Sequence, residues 1–366
     1  MSGTIAKKYI TVLLIVTTLL VCLGLIFIYS SSSVFALERF NAPGYFVKKQ
    51  LIGLVLGLIL LVLTTFFSPR GLKKLAPIIF IAALILTACT LIPGLGITIH
   101  GSKRWLNLAG FVFQPSEFLK PATVLMAAYI LDRNYFATHS LFKTYVPMLA
   151  LMGMIAGILL LQPDFGQTVT LCATMLSMLF IAYTPISYLL YTGLLILPIL
   201  LVLVVLKPYR FERILTFLNP WQDPQGKGFQ IIQSLIAIGS GGFWGVGIAH
   251  SKQKFFYLPM QHTDFIFSII AEETGFIGCL LIIALYIIFW MCGIKLALAT
   301  NDIFARLTLI GCSVMITLQA FINISVTTAF LPTKGLGLPF ISYGNSALIA
   351  SLWLVGIMIA CSKKTA

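Results

Sequence analysis

Long apolar runs alternate with short polar joints along the chain. The runs fall at about 9–29, 51–67, 77–92, 116–131, 145–161, 166–183, 186–206, 265–292, 306–330 and 345–360. A helix needs about 20 apolar residues to cross the hydrocarbon core. Each run therefore predicts one span, the shorter ones borrowing flanking residues. Thr184-Pro185 divides 166–206, because proline at a helix start lacks an amide that would be unpaired anyway. About ten transmembrane helices result. Residues 229–249 could add an eleventh. They carry Gln230, Gln233 and Ser234, then Gly239, Gly241, Gly242, Gly245 and Gly247, so an interfacial or re-entrant helix ending in a glycine-rich turn is expected instead. Gly53 and Gly57 form a GxxxG pair suited to close helix packing.

Composition fixes the class. Of 366 residues, 59% are apolar and only 9% charged, against roughly 25% charged in a soluble domain. Mean hydropathy is +1.03. The expected fold is an all-α integral membrane protein, one polytopic domain over 1–366. The first run follows Lys7 and Lys8 and is too long for a signal-peptide core, so it reads as an uncleaved anchor.

The net charge of +14 leaves open which anion is met. Lys and Arg stand in ones, twos and threes between apolar runs, which excludes a nucleic-acid track and leaves anionic lipid or an anionic substrate. With the N-terminus inside, eleven basic residues fall in inner segments and six in the short outer loops. That bias favours both termini inside. It puts the large loop 207–263, between the seventh and eighth spans, outside the cytoplasm. The seven cysteines lie within apolar runs or, for Cys361, at the end of one, so no disulfide framework is expected. The four histidines share no zinc-ligand spacing.

There is no GxxxxGK[ST] loop, no GxSxG elbow and no Asp-x-Asp pair. Polar residues crowd the proposed outer face instead. Lys103-Arg104-Trp105 precedes Gln114-Pro-Ser-Glu117, with Lys120 one turn on. Glu117 and Lys120 share a helix face and can pair, either structurally or beside a cavity. Asp164, in Gln-Pro-Asp-Phe-Gly, is either a helix cap or a site residue. Arg210 and Arg213 open the long loop, which closes on His262-Thr-Asp264. Asp264 stands at a membrane re-entry, where burial and cations tune a carboxylate for general-base work; an N-cap is the alternative. Glu272 and Glu273 are turned away from it by helical geometry and cannot share one face with it. The last outer loop, Pro332 to Ser346, offers Lys334 and Ser342 within a glycine- and proline-shaped turn. It is either an ordinary loop or a phosphate cradle.

Taken together these strings resemble the SEDS (FtsW/RodA) family of bacterial cell-wall polymerases over nearly the whole chain. Gln-Ser-Leu-Ile-Ala-Ile, Ser251-x-Gln-Lys-x-x-Tyr-Leu-Pro and Pro-Thr-Lys-Gly-Leu are more similar to the division branch than to the elongation branch. The resemblance implies ten helices with both ends cytoplasmic, in the bacterial inner membrane, and polymerisation of lipid II on the outer leaflet. It implies that Asp264 is the catalytic base. It implies that Lys103, Arg104, Glu117, Lys120, Asp164, Arg210, Arg213, His262, Lys334 and Ser342 surround the substrate. A divalent cation, magnesium or manganese, could assist. The implied partners are a class B penicillin-binding protein, which is a transpeptidase, and other division-complex membrane proteins. Three positions depart from the family pattern: Met260 for a glutamate, Asn345 for a glycine and Gly337 for a threonine. A lipid II flippase or a non-catalytic scaffold remains the rival reading.

Overall fold

The structure is a computed structural model. It describes all residues except 1, 100–101, 109–110, 136–139, 206–207, 227, 256–258 and 364–366, and it leaves out the side chains at 2–5, 99, 108, 111, 195–197, 199–205, 208–211 and 214. The helices are α1 (Ser2–Phe40), α2 (Tyr45–Thr65), α3 (Pro69–Cys89), α4 (Pro115–Arg133), α5 (Val146–Leu161), α6 (Phe165–Ile181), α7 (Ile186–Val205), α8 (Pro208–Leu218), α9 (Phe229–Gly241), α10 (Ile266–Leu298), α11 (Ile303–Thr327) and α12 (Asn345–Ser362). Each of the ten apolar runs falls on one helix. Seven helices are long and apolar enough to cross a membrane among the described residues, so this is a multi-pass membrane protein. α4 carries four charges, at Glu117, Lys120, Asp132 and Arg133, and α6 has only 17 residues.

Helix starts follow local chemistry. The Ser68 hydroxyl accepts from the Gly71 amide at 3.1 Å ahead of Pro69, and the Asp302 carboxylate accepts from the Ala305 amide at 2.7 Å. Both satisfy amides that a helix start leaves unpaired. α11 and α12 form the centre, 72% buried over their apolar windows against 28% for α2 and α3. α2 lies tight on α12 through the glycine pair. A Cβ on Gly53 would sit 3.1 Å from Asn345 Cα, and one on Gly57 would sit 2.6 Å from Leu352 Cδ1.

One element departs from the all-helical expectation. Between α3 and α4 lies a three-stranded antiparallel sheet: β1 (Gly96–Ile99), β2 (Ser102–Leu108) and β3 (Phe111–Phe113). Gly96 pairs with Leu106, and Leu106 with Phe113. Gly-Ile-Thr-Ile and Phe-Val-Phe are β-branched or aromatic segments that suit a half-buried sheet, but each is too short to show a period.

α10 is broken. Gly275 has φ 66° and ψ −163°, a region open essentially to glycine alone. Across the break the helical hydrogen bonds are replaced by bonds to the glycine-rich turn after α9. Val246 N donates to Glu272 O at 3.0 Å and Gly247 N to Glu273 O at 3.0 Å, while Phe276 N donates to Gly242 O at 2.9 Å. The 229–249 segment is therefore not an eleventh span. α9 has 13 residues, about 20 Å, and its turn is spent on repairing α10. The side chains of Glu272 and Glu273 hold the 251–254 segment that follows this turn. Glu272 accepts from Lys252 N at 2.9 Å and from the Ser251 hydroxyl. Glu273 accepts from the Ser30 hydroxyl at 2.6 Å and pairs with Lys254 at 3.4 Å.

The repaired break predicts unusual sensitivity to one methyl group. At Gly275 a Cβ would meet Gly245 N at 2.4 Å, on top of the ~1–2 kcal/mol that an L-residue loses at positive φ. Gly157, with nothing within 4 Å of its Cβ position, is the control. Gly275→Ala should lower the unfolding midpoint in detergent clearly, and Gly157→Ala should not. Equal midpoints would remove the break as a determinant of stability.

Candidate active site

The polar joints meet at one end of the bundle. β2, the start of α4, α8, the 260–265 segment and the 332–344 loop line a cavity of about 620 Å³, within the range of ligand sites. Of the residues singled out from sequence, Arg104, Glu117, Arg213, His262, Asp264, Lys334 and Ser342 line it.

Asp264 stands just before α10. The cap position is Phe265, with no side-chain capping bond, so the N-cap alternative does not hold. By surface the residue is half-buried, because the cavity opens onto it; elsewhere protein atoms enclose the carboxyl. Burial pushes its pKa up to about 7; Arg104 and Arg213 pull it down and Asp164 adds to the rise. Neither arginine forms an ion pair with it within 4 Å among the described residues. Both act at longer range through a site where screening by water is weak.

Arg104 is held from behind. Its Nε donates to Gln162 O at 3.2 Å, its Nη2 to Pro163 O, and its Nη1 lies 3.6 Å from Asp164 Oδ2. Asp164 also caps α6, accepting from Gln167 N at 3.3 Å. The cap reading of Asp164 thus holds, and the residue sits behind Arg104 rather than on the cavity wall. Burial raises its pKa against the pull of Arg104.

Glu117 and Lys120 pair at 2.7 Å, as their spacing predicts. The pair is one link in a buried chain. Gln167 Nε2 donates to Glu117 Oε1 at 2.5 Å, Lys120 Nζ to Gln319 Oε1 at 2.9 Å, and Gln319 Nε2 to Gly337 O at 2.8 Å. Lys120 therefore lies behind the wall, its charge already committed, while Glu117 reaches the surface of the cavity.

Lys334 has its ammonium 5.1 Å from the centre of the Phe165 ring, and burial lowers its pKa. Ser342 is a strut: its hydroxyl donates to Thr263 O at 2.6 Å and accepts from Leu338 N at 2.7 Å. His262 packs on Phe46, Phe35 and Tyr343, with ring centres 4.5, 5.9 and 5.8 Å away. Burial lowers its pKa to about 4, so it is neutral at physiological pH and adds no cation. Lys103 is exposed on β2 and points away from the cavity lining. The Arg210 side chain lies outside the described residues.

Sequence reasoning passed over Gln50, Gln167, Gln319 and Asn323. Gln50 lies under the last loop, donating to Ser342 O at 3.3 Å and accepting from Gly344 N at 3.1 Å. The available signal was a single amide inside an apolar run, which in a membrane needs a partner.

Breaking the Glu117–Lys120 pair should be severe. Glu117→Gln or Lys120→Met strands a buried charge, at a cost of ~3–5 kcal/mol. The exchanged pair, Glu117→Lys with Lys120→Glu, should regain more thermal stability than either single variant. Mild and equal losses from both single variants would mean that the pair is solvated and of little weight.

Comparisons with known proteins agree with this geometry. The profile of the FtsW/RodA/SpoVE family, described as "Cell cycle protein", matches residues 10–366. The chain is 40% identical over 358 residues to the probable peptidoglycan glycosyltransferase FtsW of Geobacter sp. (strain M18), covering 98% of each. It is 40% identical over 354 residues to stage V sporulation protein E of Bacillus subtilis (strain 168), covering 96% of each. A chain of a solved assembly described as "Structural coordination of polymerization and crosslinking by a peptidoglycan synthase complex" superposes with a TM-score of 0.78 at 34% identity, over 96% of both chains. The rod shape determining protein RodA of Thermus thermophilus superposes with 0.69 at 28% identity, over 96% of this chain and 95% of that one. With its full-length matches and its shared bundle, the chain belongs to the FtsW/RodA/SpoVE family.

Proposed function

We propose that this protein is a peptidoglycan glycosyltransferase of cell division, polymerising lipid II on the outer face of the bacterial cytoplasmic membrane. The observation that carries the reading is Asp264: a carboxyl with a pKa of about 7 on the wall of a cavity also lined by Arg104, Arg213 and Lys334. A general base works best with its pKa near the operating pH. The names of the relatives support the same reaction class.

In this reading two lipid-linked sugars meet in the cavity. Asp264 accepts the proton of the acceptor's GlcNAc 4-hydroxyl. That oxygen forms a bond to the anomeric carbon of the donor MurNAc and inverts it. The bond from that carbon to the undecaprenyl diphosphate oxygen breaks, and the diphosphate leaves with the electron pair. Arg104, Arg213 and Lys334 offset the charge that develops on it. Because Asp164 and two carbonyls hold Arg104 in place beforehand, little reorganisation is needed as the charge grows.

No three His, Cys, Asp or Glu residues gather as a metal site among the described residues. Within the cavity Glu117 is committed to Gln167 and Lys120, which leaves Asp264 as the free carboxylate. These donors do not build a resident magnesium or manganese site. The partner we infer is a class B penicillin-binding protein, a transpeptidase, alongside other division-complex membrane proteins. The similar solved assembly is described as coordinating polymerization and crosslinking, and a strand-making chain requires a crosslinking one.

The test is polymerisation of purified lipid II, with and without that partner, read as strand length on a gel. Asp264→Asn should stay folded and lose ~10²–10⁴-fold in rate. A flippase or scaffold predicts no polymer from either protein. Wild-type-like polymer from folded Asp264→Asn would sink the assignment. The rate should climb with pH through about 7, as the carboxylate ionises, and Arg104→Gln should move that limb upward. Stability should run the other way. The folded-state pKa lies above the ordinary carboxylate value of 3.8, so the contribution of neutral Asp264 is complete at low pH and is lost as pH rises through about 7. Asp264→Asn should accordingly gain in melting temperature relative to wild type over that window.

A further inference from the structure

α11 presents two amides to the cavity end. Gln319 and Asn323 are four residues apart and share one face. Both hold the last loop: Gln319 through Gly337 O at 2.8 Å, Asn323 through Leu336 O at 2.6 Å. Asn323 Nδ2 also donates to Asp264 O at 2.8 Å. A side-chain NH2 carries two hydrogens, so both carbonyls are served at once. With two acceptors on one side, the amide has only one workable orientation. Its Oδ1 is thereby turned into the protein interior, where it finds no hydrogen-bond partner among the described residues. Asn323 is 2% exposed. An unpaired buried acceptor destabilises, so this amide is not explained by stability alone. What it does is tie two segments that enter the cavity from different joints.

The tie lies beside the reacting group. A Cβ on Gly335 would be 3.4 Å from Asp264 Oδ2, so the loop that Asn323 holds passes beside the carboxyl with room for little more than a methyl group between them. The side chain of Asp264 does not cap α10; its carbonyl is the atom by which Asn323 holds it. One turn away, Lys120 sets the companion amide. An ammonium only donates, so Gln319 must turn Oε1 to Lys120 and Nε2 to Gly337.

We propose that Asn323 is a positioning residue for the reaction: its forked amide holds the backbone of Asp264 against the Lys334 loop and fixes where the carboxylate stands. This rests on the reading of Asp264 as the general base. Both carbonyls are released in Asn323→Leu, which keeps the branched shape without the polar atoms, and in Asn323→Ala, which adds no bulk.

Three measurements test it: polymerisation kinetics with purified lipid II, the pH profile of the rate, and hydrogen–deuterium exchange. Both variants should lose about 10²-fold in rate at saturating lipid II, the usual effect of ~1 Å of misplacement, with little change in KM. The acid limb should move, because Asp264 shifts relative to Arg104 on β2, Arg213 on α8, Asp164 before α6, Glu117 on α4, His262 on its own loop and Lys334. Deuterium uptake should rise together in 260–265 and 333–338 while α11 stays protected. Unchanged uptake in both segments overturns the proposal. So does a rate that falls only in step with lost folded protein while the acid limb stays fixed. If wild type makes no polymer, the reading of Asp264 fails, and the exchange measurement still decides whether Asn323 holds the two segments.

Discussion

Lipid offers no hydrogen bonds, and that constraint shapes the end of the bundle where the cavity lies. Irregular backbone there must find partners inside the protein. The 332–344 loop is held by side chains of two helices, through Gln50 on α2 and Gln319 and Asn323 on α11. The 162–164 turn is held by Arg104, and the 260–265 segment by Asn323 and Ser342. None of these holders is a surface residue of an ordinary kind. Each is an amide, guanidinium or hydroxyl in the one geometry that pairs loop carbonyls, and the cavity is the space they leave between them.

The same arrangement governs the charge in the cavity. Of the carboxylates on or behind its wall, Glu117 is paired with Lys120 and Asp164 with Arg104. Asp264 is the exception, close enough to Arg104 and Arg213 to feel them but paired with neither. Burial and cations then act on it in opposite directions, and its pKa comes to rest near neutrality rather than at either extreme. A closer arginine would hold it ionised and weakly basic. A drier pocket without arginines would keep it protonated.

Much of the fold was legible in the sequence because it depends on one variable, the length of apolar runs. All ten runs become helices, and the glycine-rich end of 229–249 already argues against an eleventh span. Most of the expected site residues also converge, since polar groups at membrane depth have few other uses. What was not legible depends on partners distant in sequence. Gln319 and Asn323 look like polar blemishes in an apolar helix until the carbonyls of Gly337, Leu336 and Asp264 are placed beside them. The sheet between α3 and α4 is too short for a period to show. Gly275 resembles any helical glycine, because the turn that fills its break lies some thirty residues earlier. Glu272 and Glu273 were set apart from Asp264 by helical geometry, but the 251–254 segment that they hold was not foreseen.

The repaired break in α10 also sets a rule for the segment that repairs it. Loops ordinarily tolerate insertions and deletions, since their backbone faces water. The 242–247 turn is matched residue by residue to a neighbour: Gly242 and Phe243 to the amides of Phe276 and Ile277, Val246 and Gly247 to the carbonyls of Glu272 and Glu273. Adding or removing one residue would put these bonds out of register together. By sequence this stretch is a loop, yet its length is as strictly set as that of a strand in the middle of a sheet.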